Sequence, residues 1–268
     1  DLTSQRLTLV GEHSAPVSCI AMCGEQPNVV VTASWDKSVA LWDLRSASGS
    51  PVTSVPLPER AYAMDLKWPH ALAGTAAPGS VQLLDLRQPP PLSKNAPTRP
   101  KITSYPPRCI VLFSRGLYEA GGGYCVGLYE GRVGVYFEPR GDRGSKNWGD
   151  DFQFKCHRQK EKERERVYAV NAMTFHPTKP ALLVTAGADG EAWLWDVKKR
   201  MRVAQLVQAS ASGLGVSSVS FSRGGEHLAF ARSDEWCGGE IQNENLQSAG
   251  HTPQVCITQV AMSEEVAR

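Results

Sequence analysis

Short apolar runs, each the length of a strand, recur along the chain between turns rich in Gly, Asp, Asn or Pro, and they group into five sets. The first set is Val17–Met22, Val29–Ser34, Val39–Leu44 and Val52–Leu57, and the second is Tyr62–Trp68, Ala71–Thr75, Val81–Leu86 and a run near Ile102–Tyr105. The third holds Cys109–Phe113, Tyr124–Leu128, Val133–Phe137 and Phe152–Cys156. The fourth holds Tyr168–Phe175, Leu182–Ala186, Ala192–Val197 and Val203–Leu206. The fifth has Val216–Phe221 and His227–Ala231, then a polar insert over 233–253, then Val255–Val260. Such a pattern predicts antiparallel sheets of about four strands, joined by turns. None of the runs is long enough to span a bilayer as a helix, so no membrane insertion is expected.

Two near-copies of one phrase stand out: Ser34-Trp35-Asp36-Lys37-Ser38-Val39-Ala40-Leu41-Trp42-Asp43 and Ala188-Asp189-Gly190-Glu191-Ala192-Trp193-Leu194-Trp195-Asp196. Each reads as a tight turn on an Asp followed by a strand ending in Trp-Asp, which resembles the repeat of a WD-type β-propeller blade. The fold class expected is therefore all-β, a single WD-repeat β-propeller domain over 1–268, with about five blades of an expected seven. Residues 1–10, with Leu7–Val10 as their apolar piece, read as the last strand of a preceding blade, and 88–107 as a proline-rich connector. The expectation is a fragment that lacks N-terminal blades, because an open ring leaves unpaired backbone at its edges.

In a WD repeat the turn Asp is held by a His from the preceding loop, a strand hydroxyl and the Trp ring N–H. His13, Ser34, Asp36 and Trp42 supply such a set in the first blade. In the fourth, Asp189 and Trp195 remain, but Gly187 stands where the hydroxyl is expected, so that network reads as incomplete. A His, a Ser and an Asp also suggest a hydrolase triad. The fold-stabilising role accounts for them more simply, and no nucleophile–base–orienter set is found elsewhere, so an enzyme is not expected. Gly121-Gly122-Gly123 lacks the Lys-Ser/Thr and the helix that a phosphate loop requires, and reads as a hairpin loop.

Composition refines this picture only slightly. A net charge of +2 and a pI near 8.2 do not announce a nucleic-acid binder. The seven cysteines are odd in number, lie in strand-like runs and show no zinc-finger spacing, so neither a metal nor a cofactor is expected and a reducing compartment is. Lys155–Arg166 alternates cations with Glu161, Glu163 and Glu165 and reads as a solvated connecting loop. Lys198-Lys199-Arg200 with Arg202 is less balanced; beside a Trp, such a turn suits phosphate binding or base stacking, and also an ordinary surface turn. Pro97-Thr98-Arg99-Pro100 fits a PxxP pattern of the kind that arises often by chance.

Further phrases carry a narrower resemblance. They are Ser34–Lys37, Leu57-Pro58-Glu59-Arg60, Arg108-Cys109, Glu130-Gly131-Arg132-Val133 and Phe154-Lys155-Cys156-His157-Arg158. Tyr168-Ala169-Val170-Asn171, Phe175-His176-Pro177 and the Asp234-Glu235-Trp236 region follow in order. The chain resembles the messenger-RNA export factors, the Rae/Gle propellers, whose relative is the Bub-type propeller of the mitotic checkpoint. Ala61-Tyr62-Ala63 after Leu-Pro-Glu-Arg, and Pro177 after Phe-His, favour the export factors, whereas Tyr129 departs from their usual Ile.

The resemblance implies a non-enzymatic adaptor at the nucleus and nuclear pore, shuttling to the cytoplasm, that docks the GLEBS segment of a nucleoporin. Checkpoint kinases carrying such a segment are the alternative partners. Arg132 matches the family arginine that receives paired glutamates of that peptide, a task suited to a guanidinium. Phe154, Lys155, Trp195, Asp196, Arg200 and Arg202 fall in a side patch implied to grip an acidic peptide or single-stranded RNA. Trp195 is at the same time the structural tryptophan of its repeat.

Overall fold

A computed structural model describes residues 7–46, 49–77, 81–87, 105–113, 122–137, 151–162, 164–210, 213–234 and 252–260. Several sequence expectations fall outside these residues, wholly or in part. They are the start of the 1–10 segment, most of 88–107 with its PxxP phrase, the loop position Gly121, and residues 235–251 of the polar insert with Trp236. Among the described residues every regular element is a strand, and no helix is long and apolar enough to cross a membrane.

The chain divides into two compact units, Asp1–Pro107 and Arg108–Arg268. In the first, β1 (Val17–Met22), β2 (Val29–Ser34), β3 (Ser38–Asp43) and β4 (Thr53–Pro56) form one antiparallel sheet in that order. A second sheet holds β5 (Ala61–Lys67), β6 (His70–Thr75) and β7 (Val81–Asp85). Val31, Ala33, Val39, Leu41, Val55 and Leu57 of the first sheet meet Ala61, Ala71, Ala73, Leu84 and Leu86 in one buried cluster. Strand β2 reads Val-Val-Val-Thr-Ala-Ser and is buried along almost its whole length, as expected for a strand covered on both faces. Residues 7–16, which precede β1, are not in a strand, and Leu7 and Leu9 are exposed.

The second unit opens with β8 (Cys109–Leu112), β9 (Gly123–Gly127), β10 (Arg132–Phe137) and β11 (Phe152–Lys155), ordered β11-β10-β9-β8. A separate hairpin follows, β12 (Arg158–Glu161) with β13 (Arg164–Val167). Next comes the sheet of β14 (Val170–Phe175), β15 (Leu182–Gly187), β16 (Ala192–Asp196) and β17 (Met201–Val207). The last sheet holds β18 (Gly215–Phe221), β19 (His227–Ser233) and β20 (Gln254–Gln259). One buried cluster joins Val111, Phe113, Val133 and Val135 to Val170, Phe175 and Leu183; another joins Val184, Leu194 and Val207 to Val216, Leu228 and Phe230.

The repeat shows in the backbone as clearly as in the phrases. The first strand of four sheets carries the same irregularity near its start, between Val17 and Cys19, Ala61 and Ala63, Val170 and Ala172, and Val216 and Ser218. Each is a β-bulge that leaves one extra residue out of the ladder. The turns from second to third strand share a left-handed residue too: Lys37 at φ 67°, Gly131 at φ 58° and Gly190 at φ 78°.

The hairpin β12–β13 corrects the sequence expectation of a solvated connecting loop over Lys155–Arg166. Its alternation is of charge and not of apolarity, and cross-strand register turns that alternation into attraction: Lys160 lies opposite Glu165. Glu165 is in addition ion-paired with Arg158 at 2.6 Å.

Candidate functional site

The buried polar residues account first for the turns that hold any surface site. In the first unit His13 Nδ1 lies 2.7 Å from Asp36 Oδ2, and His13 Nε2 lies 2.7 Å from Thr32 Oγ1. Trp42 Nε1 donates to the same Thr32 oxygen at 2.7 Å. With the imidazole neutral and its proton on Nδ1, every group is satisfied: indole N–H to hydroxyl oxygen, hydroxyl to Nε2, Nδ1–H to carboxylate. Burial pushes Asp36 upward, but hydrogen bonds from Ser38 and His13 outweigh it and hold the carboxyl below its usual range.

The hydroxyl of this chain is therefore Thr32, and not the Ser34 inferred from sequence. Ser34 sits two residues further on, where its Oγ bonds to the carbonyls of Ala15 and Pro16 and accepts the Asp36 N–H. The same shift corrects the fourth set. His157 Nδ1 bonds to Asp189 at 2.9 Å, His157 Nε2 to Thr185 Oγ1 at 2.9 Å, and Trp195 Nε1 donates to Thr185 Oγ1 at 2.9 Å. That network is complete. Gly187 corresponds to Ser34, and a Cβ there would stand 2.4 Å from His157 Nδ1 and 2.8 Å from Asp189 Oδ1.

Trp195 thus spends its N–H on the fold, yet its ring remains half-buried at a surface cleft of about 200 Å³. Lys155, Arg158, Glu165, Trp193, Trp195 and Arg202 line this cleft, with the hairpin β12–β13 contributing Arg158 and Glu165. Phe154 packs on Trp195 with ring centroids 4.5 Å apart. Arg202 is the cross-strand partner of Trp195, and its guanidinium lies over the Trp193 ring at 4.3 Å. Trp193 Nε1 donates to Glu191 at 2.8 Å, which fixes the ring under that guanidinium.

The structure brings Lys155, Trp195 and Arg202 to one cleft, with Phe154 stacked behind Trp195. Arg200 stands over a different ring, Phe152, at 4.4 Å, in the left-handed conformation at φ 54°. Asp196 anchors the turn itself, accepting the Lys199 N–H at 2.8 Å. Arg132 begins β10 and lies directly opposite Lys155 in the ladder. It is half-exposed and makes no ion pair with another described residue. Two like charges directly across a ladder repel, so this pair is a local cost to the sheet that an anionic ligand would relieve.

Sequence reasoning missed Arg158, Trp193 and Phe152. Trp193 was visible within the repeated phrase, two residues before the structural tryptophan and on the same side of the strand. Arg158 lay within the charge run read as a loop; its Nη2 and Nε bond to the carbonyls of Glu130 and Gly131. Among the described residues no cluster of His, Cys, Asp and Glu is arranged to hold a metal ion. The buried thiols are poor nucleophiles, since burial pushes Cys109 up to about 12 and Cys125 higher still.

Residues 4–43 and 154–196 match the family described as WD domain, G-beta repeat. The chain is 35% identical over 239 residues to the mitotic checkpoint protein BUB3.1 of Arabidopsis thaliana, covering 88% of this chain and 65% of that protein. It is 32% identical over 241 residues to protein Rae1 of Drosophila melanogaster, covering 89% and 65%. With the spindle assembly checkpoint protein bub3 of Schizosaccharomyces pombe it shares 31% identity over 257 residues, 95% of this chain and 74% of the relative. The chain thus spans a little under two thirds of the first two relatives' own length. Paired sheets, repeated bulges and two Trp–Thr–His–Asp relays agree with these matches: this chain is an all-β WD-repeat propeller and belongs to the family of Rae1/Gle2 mRNA export factors and Bub3 checkpoint proteins.

Proposed function

We propose that the chain is a non-enzymatic adaptor that docks an acidic GLEBS-type peptide of a nucleoporin and supports nuclear export of mRNA. The observation that carries the reading is Arg132 opposite Lys155, two cations in register at a sheet end. A guanidinium so placed takes a glutamate bidentately, and the neighbouring ammonium adds attraction that salt weakens. On this reading the protein works in the nucleus and at the nuclear envelope and passes to the cytoplasm with its cargo. The checkpoint alternative, docking of the same kind of segment from a checkpoint kinase, is favoured by the 35% identity to BUB3.1.

The cleft supports a second contact. Lys155, Arg158 and Arg202 around Trp193 and Trp195 combine cations with flat rings, the elements that hold single-stranded RNA or an acidic peptide.

The test is a binding titration of a synthetic nucleoporin GLEBS peptide against the full chain and against Arg132→Glu. Tight binding abolished by the charge reversal is the expected result. Equal binding by both proteins, or none by the folded wild type, refutes nucleoporin docking at Arg132. A checkpoint-kinase GLEBS peptide in competition decides between the two clients. An RNA affinity that falls steeply with salt and drops with Arg202→Gln would support the cleft as an RNA contact.

A further inference from the structure

The repeated phrase supplies its own control for the cleft. Aligned on the turn aspartate, Glu191, Trp193 and Trp195 of β16 stand where Ser38, Ala40 and Trp42 stand in β3. Trp42 and Trp195 act alike, each donating its ring N–H to a threonine hydroxyl. The other two positions differ. Ser38 bonds back to Asp36 at 2.6 Å and Ala40 is buried, so in the first sheet both serve the fold. In β16 the Asp189 carboxylate is already met by His157 and by the Glu191 N–H. The fold there has no use for a further carboxylate or a second indole, and both side chains line the cleft, partly exposed.

These two residues are nevertheless fixed in place. Trp193 Nε1 donates to Glu191 Oε2 at 2.8 Å, which orients the ring and leaves Oε1 without a partner among the described residues. The Arg202 guanidinium lies over that ring at 4.3 Å from its centroid. Arg158 is committed, to Glu165 at 2.6 Å and to the Glu130 and Gly131 carbonyls. Lys155 and Arg202 are exposed and have no carboxylate partner among the described residues. A cleft of about 200 Å³ is smaller than one for a drug-sized ligand and takes a single flat group.

Uncommitted cations beside an indole–guanidinium stack suit a nucleotide, with its phosphate on the cations and its base on the stack. A carboxylate in the same cleft repels phosphate, unless it reads the base. An ionised carboxylate only accepts hydrogen bonds. Of the four RNA bases, only guanine presents two adjacent donors, N1–H and the N2 amino group, on its Watson–Crick edge. Adenine and cytosine set an acceptor beside the donor, and uracil flanks its donor with two carbonyls. We propose that the cleft is a guanine-reading subsite for single-stranded RNA. The base stacks on the Trp193–Arg202 pair, Glu191 accepts from N1–H and N2–H, and Lys155 with Arg202 meets the phosphate. The inference rests on the RNA contact read above for the cleft and names the base that it selects.

The test is fluorescence anisotropy with the full chain and short RNA oligonucleotides of uridine, unbroken or with one central guanosine, adenosine or cytidine. The guanosine oligonucleotide is expected to bind roughly 10-fold tighter than the other three. Glu191→Gln keeps an acceptor for the Trp193 N–H. It is expected to weaken the guanosine oligonucleotide to the level of the others, while the all-uridine one binds as well or better because a negative charge has gone. Trp193→Ala is expected to weaken every oligonucleotide roughly 5- to 100-fold. Arg202→Gln is expected to lower the salt slope by about one. Guanosine monophosphate as competitor separates the two sources of the base: displacement only at large excess assigns the site to an RNA strand, and displacement at comparable concentration assigns it to a free nucleotide. A urea transition like that of the wild type shows each variant to be folded.

Equal affinity for all four oligonucleotides, or a guanosine preference that survives Glu191→Gln, overturns the base reading and leaves the RNA contact standing. No binding of any oligonucleotide by the wild-type chain overturns both. Binding of an acidic peptide in its place, lost in Arg202→Gln, then assigns the cleft to a peptide.

Discussion

Replacing Thr185 by valine removes one oxygen and almost no volume, so the response isolates the hydrogen-bond relay of the second unit. Thr185 is fully buried. Its Oγ1 accepts the Trp195 N–H at 2.9 Å and bonds to His157 Nε2 at 2.9 Å. With valine there, the indole N–H and one nitrogen of the fully buried His157 imidazole lose their partner. Each unsatisfied buried group costs about 1–3 kcal/mol, so the variant is expected to lose about 3 kcal/mol. Thr185→Ser keeps the oxygen and gives up one methyl, for about 1 kcal/mol. Urea denaturation followed by tryptophan fluorescence reads both. At a slope of about 2 kcal/mol/M, the valine midpoint falls by about 1.5 M and the serine midpoint by about 0.5 M. Equal midpoints for the two variants would refute the relay as a stabilising element.

Gly187→Ser tests the same region from the other side. If the hydroxyl belonged at 187 the variant would be stabilised. The structure instead places the new Cβ against His157 Nδ1 and Asp189 Oδ1, and a loss of about 2–3 kcal/mol in the same denaturation assay is expected. Acid titration tests the surface forks. Arg87 holds the Asp85 carboxyl down to about 2, so this group contributes stability above the ordinary carboxylate pKa near 4. That contribution is lost as pH falls from about 4 to about 2. Arg87→Gln is expected to flatten the stability–pH curve in that window and leave it unchanged in shape near neutrality; an unaltered acid limb would count against the pairing.

Much of the architecture was legible because the strands buried on both faces declare themselves. Val29–Ser34 and Leu182–Gly187 are nearly unbroken apolar runs, and the turns after them carry Asp and a left-handed residue. The hairpin β12–β13 was not legible, since it packs too little apolar surface to leave a period-two apolar signal; its order comes from charge across the ladder. The relay was half legible. Asp and Trp were found by phrase, but the hydroxyl was placed next to the turn, where Ser34 caps the backbone, instead of two residues earlier, where Thr32 reaches the indole. His157 escaped because the inserted hairpin lengthens its separation from Asp189 to 32 residues, against 23 between His13 and Asp36. For the same reason Arg158 and Glu165 could not be foreseen as walls of the cleft, which exists only once the hairpin is folded.

The double duty of Trp195 couples occupancy of the cleft to the unfolding equilibrium of its unit. One edge of the indole closes the relay through Thr185, while the ring face forms a wall of the cleft. A ligand seated against that face binds the folded unit and not the unfolded chain, so it draws the population toward the folded unit by mass action. At a ligand concentration of a hundred times Kd this amounts to about 2.7 kcal/mol. That nearly matches the loss expected for Thr185→Val, so a saturating ligand should restore most of that variant's stability. A thermal-shift rescue of a core variant then becomes a way to screen for what the cleft holds.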